Sequence, residues 1–259
     1  MNPLILITND DSVDARGIQI LSEEAAELGE VIVMAPSLNA SVKSLSLTTD
    51  RPLRVREIQP TTTYPHSTKI YACDGTPVDC VKLAVEHFCP RRPDLVLSGI
   101  NHGSNSSINI LYSGTMGAVL EATTLGLSAI GFSLLNHNPN ADFEPSRPIV
   151  RHIVSYALNN GLPPEVSLNV NIPRLDADSI KGIRLCRQAK ARWVDSFEKR
   201  VDPIGRPYWW LTGKFDCPNP PEDSDEWALA NGYVSVVPIH TDYTDHEALD
   251  ALSSLNTNQ

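Results

Sequence analysis

The chain has 259 residues, of which 41% are apolar, 20% charged and 6% aromatic, and its formal charge is −10. A chain of this length buries about three quarters of its unfolded surface, and its composition excludes collagenous, fibrous and disordered classes. With 31 acidic against 21 basic residues, it is poorly suited to long nucleic acid or an anionic membrane surface. A small phosphorylated substrate stays admissible, because one bound divalent cation inverts the local field.

The five cysteines, Cys73, Cys80, Cys89, Cys186 and Cys217, are odd in number and form no C-x-x-C pair. They read as buried free thiols in a reducing compartment rather than as a disulfide framework or a zinc site. The opening MNPLILITNDD has no basic segment ahead of its short apolar run, and no stretch approaches the roughly 20 apolar residues of a membrane span. A soluble, cytoplasmic protein is expected.

In chain order, Leu4–Thr8 (LILIT) is a continuous apolar run, as in a strand buried on both faces of a parallel sheet. Ile18, Leu21, Ala25 and Leu28 recur at spacings of three and four, which predicts an amphipathic helix over 17–28 stopped by Gly29. Val31–Met34 is a second strand, so the three elements form a βαβ unit. Thr76-Pro77 is an N-cap followed by proline at the first helical position, and Val78, Val81, Val85 and Phe88 stripe that helix. Strands at Asp94–Ser98, Ala129–Ser133 and Val166–Ile172 alternate with helices at Gly114–Leu125 and Ile149–Leu158. Residues 1–173 therefore read as the core, a doubly wound, mostly parallel α/β sheet. Residues 174–259 change texture: hairpins around Gly205-Arg206-Pro207 and Tyr208-Trp209-Trp210, a strand at Tyr233–Val237 and a last helix near His246–Leu255. An exposed aromatic hairpin of this kind suits a partner-binding arm.

Ligands of open α/β sheets bind beyond the carboxyl ends of the strands. There the chain places Asn9-Asp10-Asp11, then Ala35–Ser41 with Asn39 and Ser41, then Gly99–Asn105 with Asn101 and His102. Oxygen donors without Cys or His suit magnesium, manganese or calcium rather than zinc. Two adjacent aspartates repel unless a cation sits between them; taken alone, they also suit a turn and a helix cap. Ser113-Gly114-Thr115 opens a helix, either as a simple cap or as a nest of free N–H groups for phosphate. A metal rim facing such a nest is what phosphate-ester hydrolysis requires. His102 is a candidate proton donor, and His240, Asp242 and His246 read as a hydrogen-bonded structural cluster. No G-x-S-x-G, P-loop or G-x-G-x-x-G supports acyl hydrolysis, NTPase or dinucleotide chemistry.

Seven segments in order, ILITNDDSVDARGI, APSLNASVKSLSLT, DGTPVDCVKLAV, SGINHGSNSSINILYSGTMGAV, LNVNIP, DPIGRPYWWLTG and NGYVSVVPIHTDYT, resemble the SurE family of survival-protein nucleotidases. That resemblance implies a Rossmann-like core with a C-terminal hairpin and helix extension exchanged between subunits, in a homodimer or homotetramer. It implies metal-dependent hydrolysis of nucleoside 5′- and 3′-monophosphates, in some members also of short polyphosphate. It puts one divalent cation per subunit, Mg2+ or Mn2+, on Asp10, Asp11, Ser41 and Asn101, with Asp10 and Asp11 catalytic. Asn9, Asn39, Ser113, Gly114 and Thr115 fall on its phosphate side. The chain departs from the family at Ser12-Val13, where Gly-Ile is usual, at Ala15-Arg16-Gly17-Ile18, where Ala-Pro-Gly-Ile is usual, and at Val42, where the loss of a usual glycine removes easy access to positive φ. Since all four ligand positions are kept, activity is expected to survive. Either a broad acid phosphatase or a metal–nucleotide binding protein that does not hydrolyse would carry the same rim.

Overall fold

The computed structural model describes residues 2–59, 64, 65 and 68–256. Through the first half of the chain these form β1 (Leu4–Thr8), α1 (Arg16–Ala26), β2 (Glu30–Pro36), β3 (Val55–Ile58), β4 (Lys69–Cys73), α2 (Pro77–Leu83), β5 (Leu95–His102) and α3 (Gly114–Thr124). The second half gives β6 (Ala129–Leu134), α4 (Arg147–Asn160), β7 (Ser167–Ile172), β8 (Ile183–Leu185), β9 (Arg192–Val201), β10 (Pro207–Asp216), α5 (Asp225–Ala230), β11 (Val234–Ile239) and α6 (His246–Ala251). One nine-stranded sheet has the order β3-β4-β2-β1-β5-β6-β7-β11-β8, and β9 with β10 forms a separate hairpin. The fold is the doubly wound, mostly parallel α/β sheet that the sequence predicts.

The strand sequences explain the layering. Every residue of β1 is buried, because alternate side chains enter two different apolar layers. Ile5 and Ile7 join one cluster with Ile18, Leu21 and Val150, while Leu4 and Leu6 join the other with Val81, Met116 and Val119. Helices α1 and α4 thus cover one face and α2 and α3 the other. The chain winds outward from β1 in both directions, since β1 pairs in parallel with both β2 and β5. The crevice between the carboxyl ends of β1 and β5 is the topological switch point, where open α/β sheets place ligands.

Three differences from the sequence reading matter. Strands β3 and β4 were not expected, although β4 lies inside the sheet beside β2. The helix from Thr76 is α-helical only to Leu83 and continues as a π-turn over Ala84–Phe88. The sheet does not end at Ile172, because β11 adds antiparallel to β7 and β8 then adds parallel to β11. All five cysteines are free; Cys73, Cys80 and Cys186 are buried, and Cys89 and Cys217 are only half-buried.

Candidate active site

Strand β5 carries the largest local departure. It does not stop at Ser98: after a register shift, Asn101 and His102 pair with Ser133 and Leu134 of β6. Asn101 is therefore fixed by a sheet ladder, not carried on a loop. Gly99 makes the bend, with φ of 125° and so little room that a Cβ would lie 2.3 Å from the Phe132 carbonyl oxygen. No residue with a side chain fits there without shifting the backbone.

Asp10 leaves β1 buried at 3% exposure and runs into the start of α3. The Thr115 hydroxyl donates to its Oδ1 at 2.6 Å. A Cβ on Gly114 would lie 2.8 Å from the Cβ of Asp10 and 2.9 Å from its Oδ2, so only glycine lets the helix come this close. Burial pushes the Asp10 carboxyl up to about 6; the Thr115 hydroxyl and amide oppose the rise, and the Asp11 charge adds to it. Burial also raises Asp11, opposed by the His102 backbone N–H, which donates to its Oδ2 at 3.1 Å. Neither carboxylate has a Lys, Arg or His ion-pair partner among the described residues.

Asn101 is buried with its amide nitrogen committed. That nitrogen donates to the carbonyls of His102 at 3.1 Å and Gly103 at 3.0 Å, and to Asn105 Oδ1 at 3.5 Å. Among the described residues none bonds its Oδ1, so what it presents is an acceptor. Asn105 is held in turn by Asn171 Oδ1 at its backbone N–H and by Ser133 Oγ at its side-chain amide. The alternating asparagines of VSLNVNI were the available signal for this support, which the sequence reading did not use.

The loop after β2 is tied to the same rim, because Ala40 N–H donates to the Asp10 carbonyl at 2.7 Å. Asn39 and Ser41 are exposed, and Ser41 N–H donates to Asn39 Oδ1 at 2.8 Å. The Asn39 amide nitrogen and the Ser41 hydroxyl have no bond among the described residues. Ser12 and Val42 keep positive φ, 106° and 60°, without being glycine. The loop thus retains the left-handed conformation at a strained β-branched residue.

The remaining candidate residues each have a defined place in the structure. Asn9 is fully buried, its amide nitrogen donates to the Ser12 carbonyl at 2.8 Å, and its Oδ1 is left without a partner. The Ser113 hydroxyl accepts from Met116 N–H at 3.0 Å, so it acts as the helix cap. The His102 ring packs edge-on against Phe143 with centroids 4.8 Å apart. Away from the site, His246 Nε2 lies 2.9 Å from Asp242 Oδ2, and Asp242 N–H donates to His240 Nδ1 at 3.2 Å. The Thr244 contacts and His246 together hold the Asp242 carboxyl down at about 2.

Two carboxylates without a basic partner and neutral oxygens around them fit a hard divalent cation. No group of three or more His, Cys, Asp or Glu side chains converges among the described residues, so such an ion would complete its shell with neutral oxygens. An α/β sheet with this donor set at its switch point defines a class of candidate metal-assisted hydrolases. A sequence model of the survival protein SurE family matches residues 5–195, and the chain belongs to that family. It is 52% identical over 256 residues to a 5′-nucleotidase SurE of Christiangramia forsetii, covering 99% of this chain and 98% of the relative. Identity is 48% over 257 residues, with 99% of each chain covered, to a 5′-nucleotidase SurE of Flavobacterium psychrophilum. The crystal structure of the SurE protein from Aquifex aeolicus superposes with a TM-score of 0.83 at 40% identity, covering 98% of this chain and 99% of that one.

Proposed function

We propose that the protein is a divalent-metal-dependent 5′-nucleotidase that hydrolyses nucleoside 5′- and 3′-monophosphates to nucleoside and phosphate. The names of the relatives support the nucleotidase part. The observation that carries the metal part is the pairing of buried Asp10 with half-buried Asp11, neither of which has an ion-pair partner among the described residues.

In this reading Asp10, Asp11, Asn101 Oδ1 and the Ser41 hydroxyl hold one cation, Mg2+ or Mn2+ by donor hardness. When bound, the cation supplies Lewis acidity toward a phosphoryl oxygen and makes an adjacent water more acidic. The chain's own groups bind and orient the ester. The free amide nitrogen of Asn39 and the Gly114 N–H at the start of α3 are the donors left to meet phosphate oxygens. Asn9 is fully buried with its amide nitrogen on the Ser12 carbonyl, and the Thr115 hydroxyl already donates to Asp10, whereas the Ser113 oxygen only accepts from Met116 N–H and keeps its own proton. Asn9 and Thr115 therefore support the phosphate side from behind, and the Ser113 O–H is a further donor for it.

The extension is read as an oligomerisation arm. All ten residues of β9 are exposed, and Trp209 and Trp210 on β10 are more than half exposed. A lone two-stranded hairpin is marginal in water, so the arm calls for a second copy to lie on, as homodimer or homotetramer. Free thiols fit a cytoplasmic setting, and no described helix is long and apolar enough to cross a membrane.

The test is phosphate release from nucleoside 5′- and 3′-monophosphates, against ribose 5-phosphate and short polyphosphate, with and without EDTA. Release that is lost in chelator and restored by Mg2+ or Mn2+ is expected. Full activity in excess EDTA overturns the metal reading, and nucleotide binding without release overturns hydrolysis.

A further inference from the structure

A helix N-terminus beside a metal rim invites the assignment of its hydroxyls to substrate phosphate. The geometry of α3 points elsewhere. We infer that Thr115 is a positioning residue for Asp10: its hydroxyl sets the carboxylate in the orientation that receives the cation and does not bind phosphate. This inference rests on the metal-dependent reading above and reassigns one residue within it.

Four observations carry it. The Thr115 hydroxyl donates to Asp10 Oδ1 at 2.6 Å, a length typical of a hydroxyl bonded to a charged oxygen. Thr115 is completely buried, and its one hydroxyl proton is directed at Asp10. Thr115 is the second residue of α3, so its hydroxyl has no carbonyl of that helix to bond back to, and the Leu111 carbonyl four residues earlier accepts from Ser44 Oγ instead. Gly114 is shaped to the same purpose, because any Cβ there would strike Asp10. Two consecutive helix residues are thus fitted to one carboxylate.

The anion at the positive end of α3 is consequently the protein's own. Asp10 takes the Thr115 hydroxyl and amide, both of which favour its charged form, and leaves the Gly114 N–H to the substrate. Ser113, the other hydroxyl of the motif, accepts the capping bond from Met116 N–H and keeps its own proton, so it is Ser113 rather than Thr115 that has a donor left for substrate. A hydrogen bond to the far oxygen of a ligating carboxylate fixes its rotamer, and losing such support typically costs about 10–100-fold in metal affinity.

The test uses the full chain, made metal-free and titrated with Mn2+ alone in a calorimeter, with inorganic phosphate inhibition measured separately at saturating Mn2+. Thr115→Val keeps the volume and removes the donor, and Thr115→Ser restores the donor. The expected result is Mn2+ affinity weakened about tenfold or more in Thr115→Val and recovered to within about threefold in Thr115→Ser. Phosphate inhibition should stay within about twofold of the unaltered protein. Unchanged Mn2+ affinity with phosphate inhibition weakened about tenfold overturns the inference and returns Thr115 to the substrate. If Thr115→Val does not fold, Thr115→Ala, which removes the same donor, takes its place, and weakened Mn2+ affinity with wild-type phosphate inhibition supports the inference. In that case, the reverse pattern overturns it. An unaltered protein that binds no Mn2+ removes the metal reading itself, a result distinct from two proteins that bind it equally.

Discussion

The rim at the switch point and the β9–β10 arm solve opposite problems. At the rim Asp10 and Asn101 are buried and held in place, by the start of α3 and by a backbone ladder backed by asparagines of β7. The arm is almost wholly exposed and carries Trp193, Phe197, Tyr208, Trp209 and Trp210 on its surface. Its attachment to the body includes one side-chain bond, Trp193 Nε1 to Asn109 Oδ1 at 2.8 Å, and a root at Ala189, whose N–H donates to buried Asp225. In the proposed reading the rim carries its chemistry within one chain, and the arm lies on the surface of a second copy.

The sharpest way to break the rim is to remove one charge. Asp10→Asn keeps an oxygen for Thr115 and removes a carboxylate that burial has pushed up to about 6. Loss of a ligand charge at the reacting phosphoryl group should lower turnover by at least about a thousandfold, on the order of 4 kcal/mol. Metal-free stability should move the other way. A carboxyl whose folded pKa is raised stabilises the fold below its unfolded value near 3.8, and that contribution is lost as pH rises through about 6. At pH 8 the metal-free variant should gain up to about 3 kcal/mol over the unaltered protein, and at pH 3 almost nothing. Urea unfolding in EDTA at both pH values checks this. A gap that does not grow with pH counts against a buried, unpaired Asp10.

The arm should come away cleanly only if it is cut at the right place. Truncation at residue 200 also strips β11, which pairs with β7 from Ser235 to Ile239, together with buried Asp225 and its bonds to Ser107 and Ala189. That protein should aggregate. Replacing 193–215 by a short glycine-serine turn joins Arg192 to Asp216, which are partners in the hairpin register. The excised protein should keep its far-ultraviolet spectrum and its Mn2+ affinity while losing the dimer or tetramer in sedimentation velocity. A monomer for the intact chain removes the arm's proposed role and leaves the rim untouched.

How much of this could be read beforehand follows from where the information lies. LILIT and DLVLS announce buried parallel strands because continuous apolar runs have few other uses, and strand-end logic then leads to Asp10 and Asn101. KIYAC was passed over: it follows a long polar stretch and its alternation is short, although β4 is flanked on both sides in the sheet. Ser98-Gly99-Ile100-Asn101 reads as a turn, and only the bulge against β6 reveals that the strand continues. The direction of the Thr115 hydroxyl was out of reach for a different reason. Helix N-termini attract anions in general, and only the tertiary approach of β1 shows that the nearest anion belongs to the chain.

The smallest expected effect concerns the rim loop, and it sharpens the contrast between kept geometry and lost glycine. Val42 holds φ of 60° at 75% exposure, a left-handed conformation that costs an L-residue about 1–2 kcal/mol. Being so exposed, its side chain recovers little of that by packing. Val42→Gly relieves the strain but adds about 0.5–1 kcal/mol of unfolded-chain entropy. The net gain should be up to about 1 kcal/mol, which for a chain of this size raises the melting temperature by about 2 °C. Mn2+ affinity should stay within about twofold, because Ser41 follows the same backbone path in both proteins. A fall in melting temperature would mean that the valine side chain makes a stabilising contact, as it would if a second copy covered this loop.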